Sequence, residues 1–440
     1  MKNKIILTLL FFASILQAQE QKESYSFSLK QAIEHAIQNN YSVLNANRDI
    51  EAAKQKKWET TTIGLPQING AVGYQNNFKL QTNIIDFGGV PTALTFGTKH
   101  NMNASATLSQ LIFDGSYLVG LQSAKTYLKI SENAKVKTAQ EIKEIVINSY
   151  GNVLLADESI LILQKNKGIL EKTLSDTKEI YKNGLIEEEN VEQLQITLSS
   201  INSSLENVKR QKTIANDMMK LLLGINLDKE LKLTDKLDNL TQSNVDLAIL
   251  KEEFNVTNNI DYQIGQNLQT SKELLLKLEK SKALPSLGAA VNFGYNSFAN
   301  EFNFLNQDQK WFNYSNLGIN LNVPIFSSFG RSSRTQQAKI ALEQSKTQLT
   351  ETEQKLKLQF EKAKSDYEFS LEQLTTSKNN LNLAERIENK NQIKFTEGLA
   401  SSFDLTKAQE QLYSAQQNYL QAMLDVINKK ATLEKLINKN

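Results

Sequence analysis

The feature that most constrains this chain is that it is written twice. Asn39, Asn40 and the pair Leu65-Pro66 return as Asn258, Asn259 and Leu284-Pro285, all at an offset of 219 residues. Farther on, Ile112-Phe113 returns as Ile325-Phe326 at 213, and Ala124-Lys125 as Ala338-Lys339 at 214. The fall from 219 to 213 places about six extra residues between the Pro and the Phe of the first half, as a surface loop tolerates. Late in the first half, Val191, Leu194, Leu198, Ile201, Leu205, Val208, Ala215, Met219 and Leu222 step by three and four. An offset of 214 carries them onto Leu405, Ala408, Leu412, Ala415, Tyr419, Ala422, Lys429, Leu433 and Leu436, where only Lys429 breaks the apolar series. Self-similarity on this scale means one supersecondary plan used twice. Length alone would suggest two or three globular domains. The duplication instead predicts one elongated object, with a first repeat over 19–225, a connector over 226–245 and a second repeat over 246–440.

Each repeat contains a long helical pattern. From Tyr117 to about Ile180, and from about Arg331 to Lys394, there is no proline, and after the start the only interior glycines are Gly151 and Gly168. Proline, which breaks helices, occurs only four times in the chain. The apolar seam of the second stretch runs Leu342, Leu349, Leu356, Phe360, Ala363, Tyr367, Leu371, Leu374 and Leu381; its first-half counterparts include Leu128, Ile142, Val146, Val153 and Ile160. A sustained three-four alternation averages about 3.5 residues and implies left-handed supercoiled packing. Sixty-odd helical residues make a rod of about 95 Å.

Both rods run into a glycine turn, Tyr181-Lys182-Asn183-Gly184-Leu185 and Phe395-Thr396-Glu397-Gly398-Leu399, where glycine supplies the left-handed conformation that ends a helix. Helix-starting residues follow: Glu187, Glu188, Glu189 and Asn190 in one half, Ser401, Ser402 and Asp404 in the other. Each half therefore holds a helical hairpin, over 117–223 and 331–437, preceded by shorter amphipathic helices at roughly 29–57 and 245–282. Taken alone, such hairpins suit a soluble coiled-coil scaffold equally well.

Four segments of period two change that reading. Met102, Ala104, Ala106 and Leu108 alternate with Asn101, Asn103, Ser105, Thr107 and Ser109, and Leu317, Ile319, Leu321, Val323 and Ile325 with Asn316, Gly318, Asn320 and Asn322. Around Ile68, Val72 and Tyr74, and again from Leu287 to Tyr295, the other two segments repeat the pattern. Strands are expected at about 67–77, 101–113, 286–297 and 313–326, each near the 9 to 11 residues of a tilted membrane-crossing strand. Tyr74, Phe78, Tyr295, Phe298, Trp311, Phe312 and Tyr314 gather at the loop-side ends, as at a membrane interface. The loops at about 78–100 and 299–310 would face outside. Four strands cannot close a barrel, and an open edge is not tolerated in hydrocarbon. Closure needs about eight strands or more, so copies must pool theirs, and three copies give twelve.

The remaining features narrow the class. Lys2, Lys4, the apolar run Ile5 to Leu16 and the small Ala18 read as a secretory signal peptide over 1–18; a twelve-residue core falls short of the ~20 that span a bilayer. Cysteine is absent and 50 basic residues face 48 acidic ones, so neither a disulfide framework nor a nucleic-acid partner is expected. His35 and His100 stand alone, Glu187-Glu188-Glu189 reads as a solvated helix start, and Gly88-Gly89 is an isolated loop pair. No catalytic or metal constellation emerges, and the expectation is a protein without cofactor that is not an enzyme.

The order of these features resembles the TolC-like outer-membrane efflux protein family, the outer membrane factors. The resemblance is carried by Leu29, Ala32, Ile33, Ala36 and Asn39-Asn40, then Leu65-Pro66, the paired glycine turns, and Pro324-Ile325-Phe326 with Gly330-Arg331. It implies a homotrimer whose twelve-stranded barrel sits in outer-membrane lipid and continues as an α-helical barrel across the periplasm. Such a protein is a passive exit duct of a tripartite efflux or type I secretion system, docked on a periplasmic adaptor (membrane fusion protein) and an inner-membrane transporter. By position, Gly184, Leu185, Gly398 and Leu399 match the adaptor-docking tips, and Asp404 matches an acid lining the periplasmic entrance. Asn190 takes the equivalent place in the first half, Lys407 stands where some members have a second acid, and Ala400 where some have a latching arginine. Three symmetry-related Asp404 carboxylates would bias which ions pass, although an acid there also suits a plain helix start. The competing class is a periplasmic coiled-coil adaptor without a pore, which would have the hairpins but no lipid-facing strands.

Overall fold

A computed structural model describes residues 24–438; the expected signal peptide over 1–18 lies outside the described residues. The described chain divides into two compact units, and each draws on both sequence repeats. One comprises Asp49–Glu132 and Ile264–Leu349; the other comprises 24–48, Asn133–Gln263 and 350–438.

In chain order, β1 (Ser24–Phe27) leads into α1 (Leu29–Asn39) and α2 (Tyr41–Thr62). Strands β2 (Gln67–Asn76), β3 (Thr82–Phe87), β4 (Val90–Thr95) and β5 (His100–Asp114) follow, then the 68-residue α3 (Gly115–Lys182) and the returning α4 (Glu188–Leu223). After β6 (Glu230–Leu233) and α5 (Leu237–Asn244), the second passage runs α6 (Ile260–Ser281), β7 (Ser286–Ala299), β8 (Phe312–Asn322), the 67-residue α7 (Gly330–Thr396) and α8 (Ser402–Leu436).

The first unit is built on a four-stranded antiparallel sheet in the order β2-β5-β7-β8, so the two repeats meet where β5 pairs with β7. Its register aligns Ile68, Leu108, Val291 and Leu317 in one row across all four strands. The adjacent row, on the opposite face, is Asn69, Thr107, Asn292 and Asn316. There the Thr107 hydroxyl donates to Asn292 Oδ1 at 2.7 Å, and Asn292 Nδ2 donates to Asn316 Oδ1 at 3.0 Å. Because strand side chains alternate faces, this register separates an apolar surface from an amide-bearing one. An irregularity between Leu111 and Phe113 interrupts the β5–β7 ladder, a device that increases local twist.

Two expectations about this unit need correction. The last strand stops at Asn322 rather than continuing to 326. Pro324 has no N–H to donate to a ladder, and the Arg331 guanidinium instead takes the carbonyls of Pro324 and Ile325 at 2.9 and 3.2 Å. The stretch 78–100, expected as a plain loop, contains the antiparallel hairpin β3–β4. Gly88 and Gly89 both have positive φ, 65° and 89°, and the Gly89 N–H donates to Asp86 Oδ1 at 2.6 Å. The glycine pair is therefore the two-residue turn whose twist suits a hairpin.

The second unit is helical. Its main core joins Ala32, Ala36 and Val43 to Val146, Tyr150 and Val153 of α3 and to Leu420, Met423 and Ile427 of α8. The span 226–245 is more than a connector: β6 pairs in parallel with β1, and Phe27, Leu231 and Leu233 pack against this core. The expected helix 29–57 is broken at Asn40 and runs on to Thr62, while the one expected at 245–282 starts only at Ile260, after two single-turn 3₁₀ helices.

Buried asparagines explain those breaks and the first pair of the duplication. Asn40 Oδ1 accepts the Ser42 N–H at 2.8 Å while its Nδ2 donates to Leu222 O at 2.8 Å. Asn259 repeats both bonds, from Asp261 N at 2.9 Å and to Leu436 O at 3.0 Å. One side chain thus starts a short helix and satisfies a carbonyl at the end of the long returning helix. Two buried tyrosines add a second recurring tie. Tyr150 Oη lies 3.0 Å from Phe27 O and accepts Asp235 N–H at 3.2 Å; Tyr367 Oη donates to Asn244 O at 2.7 Å and accepts Asp246 N–H at 2.8 Å.

Candidate functional site: the hairpin tips and the two-faced sheet

Each hairpin turns on a glycine in the left-handed region, Gly184 at φ 72° and Gly398 at φ 73°. The Gly184 and Leu185 N–H groups donate back to Tyr181 O and Ile180 O at 2.8 and 3.3 Å. In the second hairpin Gly398 and Leu399 donate to Phe395 O and Lys394 O at 3.1 and 2.7 Å. These paired bonds satisfy carbonyls that the helix end leaves open. They also push Leu185 and Leu399 into solvent, 74% and 78% exposed, an apolar side chain at the end of each hairpin.

The returning helices start differently. Helix α8 carries a capping box: the Ser401 hydroxyl and N–H donate to Asp404 Oδ2 at 2.7 and 3.1 Å, and Asp404 N–H donates to Ser401 Oγ at 3.2 Å. Helix α4 has no side-chain bond at its Glu187 cap. Asn190 turns elsewhere: its Oδ1 accepts the Ser402 N–H at 3.3 Å, joining the start of one returning helix to the start of the other. Asn190 and the start of α8 therefore meet through one hydrogen bond.

Asp404 is exposed, and the Ser401 hydroxyl holds its carboxyl below the usual carboxylate range, followed by the Ser401 N–H and the Lys407 and Lys394 charges. The group is an anion at neutral pH. Within one chain its bonds are those of a helix cap, and Lys407, exposed one turn along α8, moderates its field.

Behind the tips lies a layer whose polar members were not singled out from the sequence. Leu163, Leu170, Leu174, Val191, Leu194, Ile201 and Leu205 form the apolar core of the first hairpin, with Phe395 and Tyr413 against it. The second hairpin answers with polar groups: Glu388, Thr406 and Gln409 are all buried, and Asn166 Nδ2 of α3 donates to Gln416 Oε1 of α8 at 2.8 Å. A signal existed, because Glu388 falls seven residues after Leu381 and seven before Phe395, on the heptad seam where an apolar residue is the rule.

In the strand unit the apolar face is open. Ile68, Val72, Leu317, Ile319 and Leu321 are exposed, Ile68 at 74%. At the loop end, Tyr74 Oη and His100 Nδ1 share a hydrogen bond of 2.8 Å, and the rings of Phe302, Phe304 and Trp311 pack edge-on around Tyr74 and one another. No group of three or more His, Cys, Asp or Glu residues that could hold a metal occurs among the described residues.

Comparison with known proteins gives one pattern. The family description "outer membrane efflux protein" matches residues 32–225 and 274–439. Among curated proteins the chain is similar to outer membrane protein TolC of Vibrio cholerae, 22% identical over 317 residues, spanning 71% of this chain and 68% of that one. Among solved structures it is similar to CusC, with a TM-score of 0.75 at 16% identity over 93% of this chain and 92% of that one. The Campylobacter jejuni CmeC outer membrane channel gives 0.74 at 17%, over 93% and 85%.

Proposed function

The chain belongs to the outer membrane efflux protein family, and on that premise we propose that it is the exit duct of a tripartite export machine, a homotrimer spanning the outer membrane and reaching into the periplasm. One observation carries this reading. The four-stranded sheet has an exposed apolar face, an amide-bearing opposite face, and strands β2 and β8 at its edges. In hydrocarbon such a sheet must pair its edges, and β8 of one copy meeting β2 of the next closes the barrel. Three copies supply twelve strands, with Asn69, Thr107, Asn292 and Asn316 facing the lumen. A pore-free adaptor has no use for an apolar sheet face of this kind.

The duct performs no chemistry. Its residues keep an aqueous path through lipid, and the energy for transport comes from an inner-membrane transporter reached through a periplasmic adaptor. Leu185 and Leu399, each held out by a left-handed glycine, are the contact points for that adaptor. Three copies of Asp404, kept anionic by Ser401, form a charged ring at the periplasmic entrance, with Asn190 as its neutral partner and Lys407 limiting the ring's pull on cations.

The test is reconstitution of the mature chain. A boiling-sensitive trimer in detergent that opens discrete conductances in planar bilayers supports the duct, while a stable monomer that leaves bilayers silent overturns it. The chain has no cysteine, so one cysteine placed in β2 and one in β8 report the seam directly: cross-links must form between chains and never within one.

A further inference from the structure

The polar layer behind the tips is costly packing for a helical hairpin. Glu388 is 9% exposed and Gln409 1% exposed. Both amide atoms of Gln409 lie outside hydrogen-bond geometry to any partner, as do Thr406 Oγ1 and Gln392 Oε1. Buried polar groups without partners cost free energy, and a buried carboxylate costs more unless a cation or several donors attend it. Lys165, an exposed residue of α3, acts on Glu388 through its charge, and from α8 the Gln409 amide and the Tyr413 ring lie close. On an otherwise apolar seam, a carboxyl so placed is tolerated as the neutral acid and resisted as the anion. We infer that Glu388 is a proton-operated latch, holding α7 against α8 and α3 when it carries a proton and loosening the tip end of the second hairpin when it loses it.

The sign follows from the surroundings. Burial, the largest influence, raises the Glu388 pKa; the Gln409 amide beside it, although not in full hydrogen-bond geometry, and the Lys165 charge offset it in part. A carboxyl whose packed-state pKa is raised stabilises packing fully below its ordinary pKa, and that stabilisation is lost as pH rises towards the raised value. Tip packing is therefore tightest in acid and slackens towards neutrality. Asp404, held below the usual range by Ser401, stays ionised through this window and does not contribute to it. As regulation of an entrance, the latch rests on the duct reading: an acidic periplasm would keep the duct shut and a neutral one would ready it for opening.

Hydrogen exchange on the purified full-length protein reads the latch without requiring transport. Protection factors of peptides spanning 388–396 and 402–412, corrected for intrinsic exchange, are expected to fall as pH rises above the ordinary carboxylate range. The fall is about tenfold for each unit separating the released and packed pKa values. Peptides over 146–154, in the main core, should show no such slope. Glu388→Gln is expected to be protected and flat across the range, and Lys165→Met, which removes the attending cation, to move the midpoint to higher pH. A merely structural Glu388 would give neither the flat profile nor the moved midpoint. A flat wild-type profile, an unchanged slope in Glu388→Gln, or an unmoved midpoint in Lys165→Met overturns the latch. A protein that conducts but shows a flat profile loses the latch and keeps the duct. One that shows the slope but never conducts loses the duct and keeps proton-dependent packing.

Discussion

The two units of this chain dispose of their apolar residues in opposite ways. In the helical unit Val146, Tyr150, Leu223 and Ile427 are shut inside, whereas in the sheet Ile68, Val72, Leu317 and Ile319 point outward and the amides occupy the other face. A water-soluble fold cannot leave so broad an apolar face open. The difference teaches that one chain is written for two solvents, and that a side chain of the same type, Ile319 or Ile427, stabilises for opposite reasons.

That comparison can be broken by substitution. The largest expected effect is Ile427→Ala, which opens a void in the main helical core and costs about 2–5 kcal/mol, read as loss of the thermal transition of the helical unit in detergent. Next comes Ile319→Arg, costing about 2–4 kcal/mol if the face meets the bilayer midplane. It is read as failed insertion into vesicles with the helical transition intact, and Asn320→Arg on the opposite face should insert normally. Equal effects of these two arginines would refute the two-faced sheet. Tyr150→Phe leaves the Asp235 N–H and the Phe27 carbonyl without their shared partner and is expected to cost about 1–3 kcal/mol, measured by urea unfolding.

The smallest effects lie at the tips, where the two hairpins differ in their caps. Ser401→Ala removes the α8 cap at about 1 kcal/mol, seen as faster exchange at the start of α8. Because the Asp404 pKa is lowered, the stabilisation from its cap bonds is present above the ordinary carboxylate pKa and lost as pH falls through the lowered value. Exchange at 401–405 should thus quicken in strong acid in the wild type and show no such step in Asp404→Asn. That direction is opposite to the one expected around Glu388, so the two carboxyls can be told apart in one pH series. In bilayers, Asp404→Asn should also reduce cation preference.

Much of this was legible because the sequence repeats itself. The recurrence of Asn40 at Asn259 records a side chain that caps one helix while satisfying the end of another. The glycine turns at Gly184 and Gly398 were readable since no other residue adopts that conformation so cheaply. Less was legible where a residue's role depends on what faces it. Nothing around Pro324 announces that Arg331 will cover the freed carbonyls and end the strand early. Nor does Asn190 announce that it will accept a backbone N–H from the other hairpin 212 residues away.

By itself the sequence determined the periods: three and four for the hairpins, two for the strands, each written twice, because periodicity is a local property of the backbone. Only the tertiary structure decided the partners. It set β5 beside β7 so that the two repeats share one sheet, broke the first helix at Asn40, turned 226–245 into a strand and a helix, and buried Glu388 behind the tips. Those outcomes depend on contacts between residues far apart in the chain, whose free energies no single segment contains.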